Sequence, residues 1–597
     1  MKDFIKYVGA TITGIVMLSV IVGILGVISL VGLAASTAST VQVKDGSVFT
    51  LVLKNNIDER GTDNPIGFLN GSDTTIDGLN DIISAIHKAK DNENIKGIYI
   101  QADGMATDSP ASLHAIREAL LDFKKSGKWI ISYSDGYSQS EYYLCSVADQ
   151  ILLNPQGQIG WHGLAAEPVF YKDLLAKFGV KFELCKVGKY KSAPEQVTAD
   201  GMSEANREQV TAYVTGIWKV MLKDVSASRK ISTDSLNAYA DRFMDLADAQ
   251  ELIKLRLIDK TMYADEVKNV IKKRLDIDTD TDIPQLSLGD MLNVEDKKNR
   301  GDKVAVYYAY GDIVDEDNSN PMNPQTCIVG KDMCKDLEEL ADDDDVKAVV
   351  LRVNSPGGSA YASEQIWHAV TKLKAKKPVV VSMGGYAASG GYYISCAANY
   401  IYSDPTTITG SIGIFGMFLN YSELMKDKLG IKFDEVKTNK HANFGTRSRF
   451  FNAEEMAILD KYIGKGYELF RKRVADGRKM SVAQVEQIAQ GRVWLGNDAL
   501  KIHLVDGIGS LDDAVKKAAQ LAKLDEYYAS EYQTPSSWYE TLLASASGNS
   551  GSYLDEQMQA TFGELYEPLR YIKQVENMSK IQARLPYFLT IRCLHLI

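Results

Sequence analysis

Cysteine and histidine are both scarce in this sequence. Six cysteines in 597 residues, none in a C-x-x-C pair, cannot make a disulfide scaffold. Cys145 and Cys396 stand in apolar surroundings and read as small core residues. A Cys327–Cys334 bridge stays open for an oxidising compartment. The seven histidines are scattered, with neither H-E-x-x-H nor C-x-x-C…H spacing, so no metal is expected. No dedicated nucleotide loop is present, and no cofactor is expected. Positive charge is also short. A net charge of −11 argues against a nucleic-acid partner, because phosphate binding needs a basic face. The acidic run Asp342–Asp345 precedes an apolar strand and reads as a solvated connection rather than a cation site. With 45% hydrophobic and 24% charged residues the composition is globular, neither disordered nor fibrous.

One long apolar run exists and no second follows it. Tyr7 to Ser39 carries no charge and exceeds the roughly 20 residues that cross a bilayer. Ala34-Ala35-Ser36 and Thr37-Ala38-Ser39 resemble signal-peptide cleavage sites, but a signal peptide's apolar region is only about 7–15 residues. The length favours an uncleaved signal anchor. Lys2 and Lys6 precede it and Lys44 is the next charge, which puts the N-terminus in the cytoplasm and the bulk of the chain outside.

Beyond the anchor the chain reads as two copies of one α/β unit. Apolar strands at Ser47–Leu53, Ile95–Ile100 and Trp129–Ser132 alternate with helical stretches near Leu79–Ala89 and Ser112–Lys125. The order repeats with strands at Val304–Tyr308, Val346–Leu351 and Pro378–Val381 and a helix near Ala362–Leu373. Continuous apolar strands alternating with helices predict mainly parallel sheets covered on both faces. Pro155, Gly160 and Gly163 stand opposite Pro405, Gly410 and Gly413 at one constant spacing. Helical regions follow at Ser203–Ile271 and Ala453–Leu524. The expected division is residues 1–40 as cytoplasmic stub and anchor, 41–274 and 304–524 as the repeats, 275–303 as linker and 525–597 as tail.

The copies differ where chemistry would sit. Registered on a Tyr-Tyr pair, Ser389 in Ala387-Ala388-Ser389-Gly390-Gly391 falls opposite Gln139. Gly179–Glu183 matches Gly430–Asp434, and the same register places Lys191 opposite Ala442. One half keeps a serine, the other a lysine, which points to a single Ser–Lys hydrolase site built from both. A serine hydroxyl needs a base beside it, and a lysine serves if burial lowers its pKa. No His/Asp pair stands in a nucleophile-elbow context. Lys189 is the rival base, but it pairs in the repeat with Lys440. The bland alternatives are a surface lysine and a serine that merely caps a helix. The amide of Gly390 is a candidate oxyanion donor, with a second expected from Asn354-Ser355-Pro356-Gly357-Gly358-Ser359.

Arg352–Gly358, Tyr386–Tyr393 and Thr409–Gly413, with Tyr190-Lys191-Ser192-Ala193, resemble the signal peptide peptidase A (protease IV) family in its long, two-repeat form. The resemblance covers nearly the whole chain before Leu524. It implies tandem Clp-protease/crotonase-like α/β domains behind an N-terminal transmembrane helix. It implies a serine endopeptidase with Ser389 as nucleophile, Lys191 as general base, Gly358 and Gly390 as oxyanion donors, and Ser411 orienting the lysine. Trp161 stands opposite Ser411. Implied partners are remnant signal peptides, the membrane and three further copies in a homotetramer. The implied location is the inner membrane with the catalytic part periplasmic. Pro194-Glu195-Gln196 departs from the small apolar residue expected there. A crotonase-type acyl-thioester enzyme and a non-catalytic scaffold are the alternatives.

Overall fold

In the first half, four parallel strands lie side by side: β1 (Ser47–Leu53), β2 (Ile95–Ala102), β3 (Trp129–Ser134) and β4 (Gln150–Leu153). Alternation along each strand sends side chains to opposite faces. Phe49 and Leu51 join a core with α1 (Leu79–Asp91), α2 (Pro110–Lys124), α3 (Gln139–Cys145) and α4 (Glu204–Arg229). Val48, Ile131 and Leu152 face the helix Ala264–Leu275 instead. Both faces are therefore covered. The structure is a computed structural model that describes residues 41–61, 76–295, 300–316, 326–532 and 581–584, with Tyr7, Gly14, Met17 and Leu18. Apart from Tyr7, Gly14, Met17 and Leu18, the expected anchor lies outside the described residues. Among the described residues no helix is long and apolar enough to cross a membrane.

Strand β5 (Lys181–Lys186) leaves the first sheet and lies against the second half. That half repeats the design with β6 (Asp302–Tyr310), β7 (Val346–Ser355), the short β8 (Gly357–Ser359), β9 (Val379–Ala388), β10 (Tyr400–Ser403), β11 (Ile408–Gly410) and β12 (Phe415–Asn420). Its sheet runs β6, β7, β9 in parallel, with β10 and β11 both on β9. Helices α5 (Ala360–Lys376), α6 (Gly390–Ser395) and α7 (Ala453–Arg478) share one core with Val349, Leu351 and Val381. Val304, Val350 and Val380 face the helix Leu511–Ala522.

The duplication extends to single hydrogen bonds. Tyr142 donates to the Leu257 carbonyl as Tyr392 does to that of Leu504. Asp259 accepts from the Ile151 amide and Arg229, as Asp506 does from the Ile401 amide and Arg478. Helices α4 and α7 are each 26 residues long and each ends on a left-handed lysine, Lys230 and Lys479.

The stretch expected as linker contributes more than a connection. Gln285–Leu286 pairs with β1 as an edge strand, and Tyr527–Glu531 of the expected tail does the same beside β6. A further sheet joins the halves: Cys327–Val329, Asp312–Val314, β8, β13 (Ile581–Arg584), β12 and β5, in that order. No disulfide joins Cys327 to Cys334.

Candidate active site

Strand β9 is buried along its whole length and delivers the chain to Ser389 at the mouth of α6. Ser389 has φ 54° and ψ −112°, a left-handed region that non-glycine residues rarely occupy. Two backbone bonds hold it there, Ser389 N–H to the Gly410 carbonyl at 2.8 Å and Tyr393 N–H to the Ser389 carbonyl at 2.8 Å. Ser389 stands at the N-cap position, yet its side chain makes no capping bond. The hydroxyl is directed elsewhere: Lys191 Nζ lies 2.7 Å from Ser389 Oγ.

Lys191 follows β5 in the turn after the strand and reaches across from the first half. Besides Ser389 it meets Ser411 Oγ at 3.0 Å and the Ser411 carbonyl at 3.3 Å. Lys191, Ser389 and Ser411 are all fully buried. Burial pushes the Lys191 amine well below the ordinary lysine value, and no neighbouring carboxylate opposes it. Its stem runs past two glycines. A β-carbon on Gly491 would stand 2.7 Å from Lys191 Cβ, and one on Gly413 would stand 3.3 Å from Lys191 Cδ. The backbone is tied from both sides: Tyr190 N–H donates to the Gln490 carbonyl at 3.0 Å, and Gln209 Nε2 to the Tyr190 carbonyl at 3.0 Å. Gln209 in turn accepts from the Val493 amide of the second half. Lys189 stays outside, its amine stacked over the Tyr190 ring.

The glycine loop stands next to this pair. Gly357 has φ +100°, open to glycine at little cost. A β-carbon there would stand 2.6 Å from the Gly390 amide nitrogen, and one on Gly358 would stand 2.0 Å from the Ile313 carbonyl. The two stretches thus approach as only bare backbone can. Asn354 fixes the loop to β9: its Oδ1 accepts from the Tyr386 amide at 3.0 Å, and its Nδ2 donates to Asp108 at 2.7 Å. Asp108 comes from the first half. Burial, reinforced by Glu59, raises its carboxyl to about 7. Arg352 beneath the loop is locked by Glu59, Ser382 Oγ and the Met383 carbonyl.

The structure therefore brings Ser389, Lys191, Ser411, Gly358 and Gly390 into one region. Trp161, opposite Ser411, is buried in the first-half core and donates to the Leu236 carbonyl. Sequence reasoning missed Gly491, Gln209 and Asp108. Only the constant spacing of Gly163 and Gly413 pointed toward any of the packing around the lysine. Such an arrangement can generate an oxygen nucleophile, because a buried neutral amine is a base and the hydroxyl beside it is held in a strained turn.

The family model described as Peptidase family S49 matches residues 122–278 and again 371–525, one match in each half. That described as Clp protease matches residues 303–406. The fold is accordingly mixed α/β with duplicated Clp-protease-like domains in tandem. The chain is 38% identical over 490 residues to "Protease 4" of Salmonella typhi, covering 81% of this chain and 78% of that one. It is 38% identical over 462 residues to "Protease 4" of Haemophilus influenzae, covering 74% and 72%. It is 29% identical over 490 residues to "Serine protease SPPA, chloroplastic" of Arabidopsis thaliana, covering 81% and 70%.

Proposed function

Given that this chain belongs to peptidase family S49 and is a serine protease of the signal peptide peptidase A type, we propose that it is a membrane-anchored endopeptidase that degrades released signal peptides at a Ser389–Lys191 pair. The observation that carries this is the 2.7 Å approach of Lys191 Nζ to Ser389 Oγ in a fully buried pocket. The alternatives of a thioester enzyme and a scaffold lapse with the family.

In the proposed reaction the neutral amine of Lys191 takes the Ser389 proton as Oγ attacks the scissile carbonyl. The amides of Gly358 and Gly390 stabilise the oxyanion, and the N-terminal end of α6 adds its unpaired donors. Protonated Lys191 then gives its proton to the leaving nitrogen, and water, deprotonated by the same amine, releases the acyl group. Ser411 Oγ, 3.0 Å from Nζ, holds the lysine toward Ser389 rather than toward solvent. We take residues 41–274 and 304–524 as the two domains, linked through 275–303 and followed by a tail at 525–597.

The apolar run Tyr7–Ser39, with Lys2 and Lys6 before it, supports an inner-membrane anchor with the catalytic domains periplasmic. Several copies are expected to assemble, and the family resemblance supports a homotetramer. Ile431, Phe433 and Val436 are exposed, whereas the matching first-half segment runs into β5 and is paired with β12. An exposed apolar segment whose twin is a paired strand suits a second copy.

A fluorophosphonate probe should label the protein at Ser389 alone, with peptide mapping as the readout. Labelling at any other serine, or none, would overturn the assignment.

A further inference from the structure

Ser411 has φ 51°, in the left-handed region, so something must hold its hydroxyl where Lys191 Nζ meets it. One bond that does so runs from Ser411 N–H to the Arg492 carbonyl at 2.7 Å. Arg492 stands just before the strand Val493–Leu495, which pairs antiparallel with β11, Val493 opposite Gly410 and Trp494 opposite Thr409. Its main chain is therefore fixed to the turn that carries Ser411. Its side chain goes to the residue before the lysine. Arg492 Nη1 donates to Tyr190 Oη at 3.0 Å and to Glu208 Oε1 at 2.8 Å. Tyr190 Oη donates in turn to Glu208 Oε2 at 2.9 Å. The guanidinium carbon lies 4.9 Å from the Tyr190 ring centroid and 4.4 Å from that of Trp494, whose ring nitrogen donates to the Ile488 carbonyl. An arginine clasped between two rings and a carboxylate has a defined place. Lys189 is a second cation at the Tyr190 ring.

We propose that Arg492 is a positioning residue for the reaction: its carbonyl sets Ser411 and its guanidinium sets the Tyr190–Lys191 backbone, so that the second half aligns a base supplied by the first. The inference rests on the Ser389–Lys191 reading above. Arg492 touches no reacting atom and acts through the lysine's placement. The Lys191 stem has no slack, since a β-carbon on the adjoining Gly491 would stand 2.7 Å from Lys191 Cβ. A shift of Tyr190 therefore carries Nζ with it. A misplacement of about 1 Å costs up to about 100-fold in rate. The same shift lets water into the pocket whose dryness keeps the amine uncharged. Glu208 is 51% exposed and Arg492 22%, and an ion pair that wet contributes little to stability. The loss should fall on rate more than on folding.

The test is kcat, KM and the pH profile of kcat/KM on an apolar peptide ester for Arg492→Met and Tyr190→Phe. Arg492→Met should lower kcat by about 10- to 100-fold with KM within about twofold of wild type, and its rising limb should move to higher pH. Tyr190→Phe keeps the ring and the Arg492 charge and removes one hydroxyl, so the fold is spared. It should lower kcat about fivefold, the worth of one hydrogen bond, and move the limb in the same direction. A limb shift in this variant reports the amine's position and not the loss of a neighbouring cation. Both variants keeping the wild-type kcat and limb, whatever their melting temperatures, would overturn the inference and leave the catalytic pair standing. So would losses confined to KM. Wild-type activity in Lys191→Met would instead remove the base itself, and this inference falls with it.

Discussion

Gln139 and Ser389 hold matching places in two copies of one unit, and the chain treats them in opposite ways. In the first half the helix begins conventionally: Ser138 has φ −60°, its hydroxyl accepts from the Glu141 amide, and Glu141 returns the bond in a capping box. Gln139 then fills the space beyond. Its Oε1 accepts from the His162 and Gly163 amides, and its Nε2 donates to the Gly163 carbonyl. Glu141 also takes the amides of Gly104 and Met105 in the loop after β2. The polar groups there are satisfied, so nothing is left to react. In the second half the cap is dispensed with, the backbone is strained at Ser389, and the hydroxyl meets a buried amine from the other copy. A satisfied turn stabilises; a turn whose polar groups are withheld from each other can do chemistry.

The sharpest way to break this contrast is to remove either partner. Ser389→Ala and Lys191→Ala should each lower kcat by about 10⁴-fold or more on a peptide ester, and the double variant should be no worse than either, because the two act as a unit. Lys191→Met should be equally inactive yet melt at a higher temperature near neutral pH. The buried amine has a lowered pKa, so the unfolded chain binds more protons between that value and the ordinary one, and holding the amine neutral costs stability there. A lower melting temperature for this variant would mean that the lysine is not buried neutral.

Ser411→Ala removes a bond to the lysine but no reacting atom. A loss of about ten- to a hundredfold in kcat is expected, within the range of a misaligned base. In the first half, Gln139→Ala leaves the His162 and Gly163 amides short of an acceptor and should cost about 1–3 kcal/mol in denaturant unfolding. Gln139→Ser should create no second active site, since Lys191 lies with Ser389. Labelling by a fluorophosphonate at residue 139 of that variant would show the two turns to be closer in function than their bonds indicate. The last effect concerns Asp108 and is confined to acidic and neutral pH. With its carboxyl raised to about 7, the folded state binds more protons than the unfolded one between about pH 4 and 7, so stability should fall as pH rises through that window. Asp108→Asn should flatten that part of the profile.

The repeat was legible because it is written in local patterns. Apolar strands, helix stripes and fixed Pro–Gly spacings survive in any one stretch of chain, while the Tyr-Tyr pair sets Ser389 against Gln139 and the match of Gly179–Glu183 to Gly430–Asp434 sets Lys191 against Ala442. What could not be read was whatever depends on distant partners. Gln285–Leu286 and Ile581–Arg584 are two and four residues long, too short for a period-two signal. Their strand character comes from the edges they complete. That Ser389 sits at a cap without capping could not be read either. Serine at a helix start carries the same letter whether it bonds its own helix or a lysine 198 residues away in sequence. Gly491 is equally silent, since its role is only to leave room for the Lys191 stem.

The most direct measurement of a serine activated by a buried lysine is the pH dependence of kcat/KM for an apolar peptide ester, which reports the free enzyme's essential base. A single limb that rises with pH and levels off well below the ordinary lysine value of about 10.4, and that vanishes in Lys191→Met, is the predicted result. A rate with no rising limb at any pH where the protein stays folded, or a limb that survives in Lys191→Met, would contradict it.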